Sequence, residues 1–161
     1  GLVIDVNQAL DGEGPFSPER TGSLPVNHIV NACFSGEYTK EQIKKMIVGE
    51  GGFVAYLGTN DAYEVETKAK AGSKEHAFIQ SAMAYQVAKE IGAAATVLSG
   101  KVDAIILTGG IAKGKPFDDE VIERVRFIAP VEVYAGEDEM GALAMNATMF
   151  LNKEIECKEY K

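Results

Sequence analysis

Apolar residues recur at three- and four-residue spacing through Phe78, Ala82, Tyr85, Ala88, Ile91, Ala95 and Leu98. That spacing predicts an amphipathic helix over 74–98, capped by Ser73 and ended by Gly100. At 1.5 Å per residue it would be about 37 Å long. Its small residues, Gly92 to Ala95, leave room for another backbone to pack closely. Thr39 is placed to cap a helix through about Val48, stopped by Gly49. A weaker signal marks a short helix over 26–34, and another helix follows the turn Gly58-Thr59-Asn60-Asp61 and runs to about residue 70. Three runs read as strands: 1–6, Phe53 to Leu57, and the apolar stretch Val102 to Leu107, expected to be buried. A helix near 117–128 buries Val121, Ile122, Val125 and Ile128 and stops at Pro130. Val131 to Tyr134 is then a strand, and a last helix from about Asp138 presents Met140, Leu143, Ala144, Ala147, Phe150 and Leu151 on one face. The strand–helix–strand order across 102–134 predicts a parallel pair in an α/β layer fold. Residues 1–36 carry the turn signals Asp11-Gly12-Glu13-Gly14-Pro15 and Ser17-Pro18 and read as a long loop, of a kind that is usually functional or else disordered.

Composition narrows the classes. The chain has 161 residues, 46% hydrophobic and 25% charged, which fits one globular domain. No apolar run approaches the about 20 residues of a membrane span. A net charge of −8 argues against a nucleic-acid partner or an anionic membrane surface, since both ask for a basic footprint. Cys33 and Cys157 are too few for a disulfide framework and read as free thiols in a reducing cytoplasm. A chain opening Gly-Leu-Val-Ile-Asp-Val, in strand-like sequence without an initiator Met, reads as a piece of a longer protein; a trimmed start is the alternative.

Four stretches could carry chemistry. Leu107-Thr108-Gly109-Gly110-Ile111-Ala112 stands at the carboxyl end of a strand, where α/β proteins hold ligands, and its glycines let backbone N–H groups approach a phosphate or nucleoside. A plain turn needing glycine dihedrals is the alternative. Gly136-Glu137-Asp138-Glu139 opens the last helix, either as favourable dipole placement or as a Mg²⁺ site. Arg20, in Ser17-Pro18-Glu19-Arg20-Thr21-Gly22, could clamp a phosphate or carboxylate or simply be solvated. Gly58-Thr59-Asn60-Asp61 could serve a ligand or merely cap a helix. Lys113 and Lys115 could reach phosphate, whereas His28 and His76 are isolated and read as surface or capping residues.

Taken in order, these stretches resemble the carboxyl-terminal half of the butyrate kinases. That family sits with acetate kinase in the superfamily of acetate and sugar kinases, heat-shock chaperones and actin. The resemblance rests on Asp5 to Arg20, Val54 to Asp61, Val102 to Ala112, and Gly136 to Met140, and covers nearly the whole chain. It implies an actin-like ATPase (ribonuclease H-like) α/β domain over 1–161, with a mixed sheet flanked by helices. This would be the carboxyl-terminal, nucleotide-binding domain of a two-domain kinase. The implied reaction is ATP plus a short-chain carboxylate, such as butyrate or a branched relative, giving ADP and an acyl phosphate. By resemblance, Thr108, Gly109, Gly110, Ile111 and Ala112 form the adenosine motif, extended by Lys113 and Gly114. Asn60, Asp61, Ala62 and Tyr63 stand beside the adenine, with Tyr63 where acetate kinases have Arg. Arg20 acts on the transferring phosphoryl group. Glu139, with Glu137 second, serves Mg²⁺. The helices at 74–98 and 139–150 match the two connecting helices of the interdomain hinge. A cytoplasmic homo-oligomer is implied, as is inactivity of these residues alone, since the phosphate-binding hairpins would precede residue 1. A nucleotide-binding regulatory or assembly module on the same fold is the rival reading; it would keep the Thr108 loop but would not need Arg20.

Overall fold

The computed structural model describes residues 2–136 and 138–157. Its spine is a helix at Lys74–Val97, here α5, whose cap is the Ser73 hydroxyl accepting from the His76 amide. Earlier in the chain come α1 (Val26–Phe34), α2 (Lys40–Ile47), α3 (Gly52–Leu57) and α4 (Ala62–Lys70). After α5 come β1 (Ile105–Gly109), α6 (Lys115–Val125), β2 (Val131–Ala135) and α7 (Glu139–Leu151), with 3₁₀ turns at Ala9–Asp11 and Ile111–Lys113.

The two strands are parallel, in register Ile105↔Val131 to Gly109↔Ala135, and α6 is the crossover between them. Helices α4 and α6 both pack on α5. The shared core holds Phe53, Val65, Met83, Ala84, Val121 and Val125, each at 2% exposure or less. Phe16 joins it edge-on to Phe53, centroids 6.2 Å apart. The 3.6-residue pattern accounts for this: Val121 and Val125 are one turn apart on α6, and Ala84 and Ala88 are one turn apart on α5.

Several expectations need correcting. Phe53 to Leu57 is helical. A strand would bury alternate residues, but Phe53 and Leu57 turn to the core while Ala55 and Tyr56 face out, which is helical spacing in a run too short to declare its period. The strand expected at 102–107 is shifted to 105–109, and it is not buried on both faces: Ile106 is 62% exposed. The helix expected at 117–128 begins at Lys115, because Gly114 caps it and Pro116 suits the first turn, and ends at Val125. Residues 2–6 form no strand, and Leu2, Val3, Ile4 and Val6 are exposed. With that run unpaired and 53–57 helical, the sheet of the described residues is a two-stranded parallel pair and not mixed. No residue of α7 is buried, and nothing lies within 4 Å of a side chain placed at Gly92, so the small-residue face of α5 has no close neighbour there.

The loop that carries Arg20 is locked by backbone. The Ser17 amide donates to the Arg20 carbonyl at 3.1 Å, and the Glu19 carbonyl accepts from the amides of Gly49 (2.7 Å) and Gly51 (3.1 Å). Gly52 sits at φ 56° with its would-be Cβ 1.7 Å from the Ser17 carbonyl oxygen, so no other residue fits. Thr39 and Gln42 form a reciprocal capping box at the start of α2. Asp61 caps α4, accepting from the amides of Tyr63 (2.9 Å) and Glu64 (3.2 Å).

Three expectations follow for denaturant unfolding. Gly52→Ala should cost about 3 kcal/mol or more, since it combines backbone strain with a clash against main chain, whereas Gly92→Ala should stabilise by about 0.5–1 kcal/mol as an unobstructed mid-helix change. Asp61→Ala should cost about 1 kcal/mol, the usual loss of a helix cap.

Candidate functional site

The carboxyl end of the parallel pair, the start of α4 and one face of α5 enclose a cleft of about 190 Å³. That is smaller than the roughly 300–1,000 Å³ of a complete small-molecule site. Ala62 and Tyr63 form one wall, and Gly110, Ile111, Lys113 and Gly114 form the other. Two motifs some 50 residues apart in sequence therefore meet. The reason lies beneath them: Phe53, Met83 and Phe117 make the apolar floor, and they belong to the core that holds α4 and α6 on α5.

Glu66 and Gln80 complete the lining, and neither was anticipated from the sequence. Both come from helix interiors with no motif around them. Their signal was positional. Glu66 stands one turn after Ala62 and Tyr63, and Gln80 lies on the α5 face that buries Met83 and Ala84. A side chain at Gly114 would come within 2.7 Å of the Glu66 carboxylate, so this glycine lets the loop and α4 touch. Glu66 is ion-paired with Lys70 along the helix. Two residues earlier in α4 the Glu64 carboxyl is held below its usual range, first by its hydrogen bond from Lys68 and then by one from Thr59.

Gly109 ends β1 at φ 90°, a conformation that favours glycine. Its carbonyl accepts from the Gly136 amide at 2.9 Å. The glycine loop and the Gly136–Glu139 stretch are thereby side by side. A side chain at Gly136 would strike the Lys113 stem at 2.9 Å. Thr108 and Ala112 line a different groove, on the far side of Ile111 and Phe117.

Asn60 and Asp61 lie at the rim, both exposed. Asn60 donates to the Glu19 carboxylate at 3.3 Å, which ties the Arg20 turn to the start of α4. Arg20 itself does not line the cleft. Its Nε is shielded and lacks a hydrogen-bond partner, and the side chain makes no ion pair among the described residues. Glu139 is exposed in the first turn of α7, while Asp138 is occupied in capping that helix, accepting from the Gly141 amide at 2.9 Å. Glu137 lies outside the described residues. No group of three or more His, Cys, Asp or Glu side chains among the described residues forms a metal cage. Cys33 and Cys157 are free thiols, and His76 takes a capping role, its Nδ1 2.7 Å from the Ser73 hydroxyl. Among the described residues no helix is long and apolar enough to cross a membrane.

Known proteins resemble this chain in sequence and in fold. Butyrate kinase 2 of Clostridium acetobutylicum is 55% identical over all 161 residues, which span 45% of its length. The chain therefore covers less than half of that relative. The acetate kinase of Porphyromonas gingivalis superposes with a TM-score of 0.73 at 18% identity, over 86% of this chain and 41% of its own. A propionate kinase from Francisella tularensis gives 0.67 at 21% identity, over 81% and 39%. At those identities the likeness is one of fold. The acetokinase family profile matches residues 13–134, a span that takes in the Arg20 turn, the Asn60 loop and the glycine loop. The chain belongs to the acetokinase family.

Proposed function

We propose that the chain is the nucleotide-binding, carboxyl-terminal part of a kinase that transfers the γ-phosphoryl group of ATP to a short-chain carboxylate, butyrate or a branched relative, and runs in reverse to make ATP. The observation that carries this is the convergence of Ala62 and Tyr63 with Gly110 to Gly114 in one cleft over an apolar floor. Such a cleft suits a nucleobase between a side-chain wall and a backbone wall. The identity to a butyrate kinase favours a four-carbon acid over acetate.

In this reading Gly110, Ile111 and Gly114 of the glycine loop hold the adenosine within the cleft, with Gly109 behind them at the strand end, while Thr108 and Ala112, which line the groove beyond Ile111, support that loop from behind. Asn60, Asp61, Ala62 and Tyr63 hold the base edge. Glu66 and Gln80 add the polar contacts inside the cleft. Lys113 offers its ammonium at the mouth. Arg20 serves the transferring phosphoryl group. Its guanidinium has no carboxylate partner among the described residues, so the donors of its two terminal nitrogens remain available to equatorial oxygens as charge spreads onto them, while Nε is shielded. Little covalent chemistry falls to the protein, whose task is to orient and neutralise.

The donor set fits Mg²⁺ as a companion of the nucleotide. Magnesium is commonly held by one or two carboxylates together with substrate phosphates, and the described residues offer no larger cage. Glu139 would be that carboxylate, with Glu137 second. When bound, the ion offsets phosphate charge, which also lets a chain of net charge −8 accept a polyanion.

The 161 residues alone are proposed to be inactive, since more than half the length of the butyrate kinase lies outside them. The full enzyme is taken to be a cytoplasmic homo-oligomer. A nucleotide-binding regulatory module would keep the cleft but leave the locked Arg20 turn without a purpose.

In the full-length kinase, acyl-hydroxamate formation should peak at four carbons when acetate, propionate, butyrate and isobutyrate are compared; a peak at acetate would refute the subfamily, and no turnover would refute the kinase. Arg20→Ala should lower turnover by about a hundredfold or more while Mg-ADP still binds, and a loss smaller than tenfold would remove Arg20 from the mechanism. Gln80→Leu should weaken Mg-ADP binding by about tenfold, the worth of one buried hydrogen bond, as read by calorimetry; unchanged affinity would place the base elsewhere.

A further inference from the structure

Of the polar side chains that line the cleft, Tyr63 and Lys113 are exposed, so water competes for their hydroxyl and ammonium. Glu66 and Gln80 are half-buried. The polar edge of a base in the cleft must therefore be met chiefly by one carboxylate and one amide. The carboxylate is divided. Its Oε1 is ion-paired with Lys70, and the Glu66 side chain is only 13% exposed. Lys70 does not line the cleft. It lines an adjoining hollow, which Glu66 and Gln80 also bound. Oε2 stands at the loop wall of the cleft, where a side chain at Gly114 would come within 2.7 Å of it. Lys70 is the one donor to this carboxylate among the described residues. Toward the cleft, Glu66 therefore offers a single acceptor oxygen.

That count sorts the purines. Adenine presents an amine beside a ring nitrogen, one donor and one acceptor. Glu66 Oε2 can take the donor, and the Gln80 amide nitrogen can serve the acceptor. Hypoxanthine presents a carbonyl beside a ring N–H, so the same two groups meet it after a small shift of the ring. Guanine adds a 2-amino group, a second donor next to the ring N–H. Accepting both donors takes both oxygens of a carboxylate side by side, and Lys70 holds one of them. The 2-amino group is then shut away from water without a partner, which is the costly case for a polar group.

We propose that the cleft selects against purines carrying a 2-amino group, that Glu66 is the residue that sets this selectivity, and that Lys70 enforces it by withholding the second carboxylate oxygen. Lys70 is thus a positioning residue: it acts through Glu66 and stays outside the cleft. The inference rests on the reading of this cleft as the base site. It gives that reading a nucleotide class, adenine and hypoxanthine nucleotides in preference to guanine ones. The Lys70 side chain is 61% exposed, so its replacement disturbs no packed surface.

The test is calorimetric binding of Mg-ADP, Mg-IDP and Mg-GDP to the full-length kinase. Mg-IDP should bind within about threefold of Mg-ADP, and Mg-GDP about tenfold or more weaker than either, the worth of one unpaired donor. Lys70→Met should narrow the gap between Mg-GDP and Mg-ADP by about fivefold, the upper range for an ion pair with one exposed partner. A merely structural role for Lys70 would move all three affinities together and leave their ratios alone. Glu66→Leu should weaken Mg-ADP and Mg-IDP by about tenfold. Mg-GDP binding as tightly as Mg-ADP overturns the proposal, and so does a gap that Lys70→Met leaves unchanged. Mg-IDP as weak as Mg-GDP overturns it too, since the carbonyl and not the 2-amino group would then be what the cleft rejects. Should Glu66→Leu fail to fold, the wild type and Lys70→Met decide. Mg-ADP that does not bind the wild type refutes the base-site reading itself, whereas Mg-ADP binding without the guanine gap refutes the selectivity and leaves that reading standing.

Discussion

Everything at the cleft depends on the packing of α4 and α6 against the middle of α5. Val65, Met83, Ala84 and Val121 are almost wholly removed from water where these three helices meet. Burial of each such side chain contributes about 1.5–3 kcal/mol, except for the smaller alanine. No residue of that contact belongs to a binding motif. Yet it sets the distance between Tyr63 on α4 and the glycine loop that leads into α6. A methylene lost there would be felt at the cleft, because close-packed interiors transmit displacement.

A second constraint is backbone contact without side chains. Gly51 and Gly52 let α3 start directly against the Ser17–Arg20 turn, and the Glu19 carbonyl gathers two amides. The arginine is therefore carried on a loop that is long in sequence but fixed at its base. The Glu19–Asn60 hydrogen bond extends this scaffold to the rim of the cleft. The proposed phosphoryl-binding and base-binding residues thus belong to one connected frame.

How much of this could be read from sequence varied with length and with local chemistry. The spine α5 was legible because it runs 24 residues and its cap is a serine. The parallel pair was legible because its crossover helix has a clear period, although its ends moved by two or three residues where Gly114 and Pro116 reset the start. The run 53–57 was not legible, since five residues do not distinguish a period of two from one of 3.6. Residues 2–6 have strand-like composition, but composition supplies no partner, and a strand is defined by pairing. At the cleft, the glycine loop and the Gly58–Asp61 turn stood out because their residue types are rare in element interiors, whereas Ala62 and Tyr63, ordinary helix residues of α4, were pointed to only by the family resemblance. Glu66 and Gln80 were missed because polar residues on helices are common, and only the tertiary fold shows which of them face inward.

Lys113 is held in an instructive way. Its aliphatic stem lies over Gly136 and no ion pair to it forms among the described residues, so carbon packing sets where its ammonium stands. Dissolved salt should then affect the two halves of its behaviour differently. The stem contact is indifferent to ionic strength, so the charge stays where it is. Its reach is not indifferent: at physiological ionic strength the field decays over about 8 Å. A cation mounted this way keeps its address while its range is tuned by the medium, acting on anions already at the mouth of the cleft and little on those still in bulk solution.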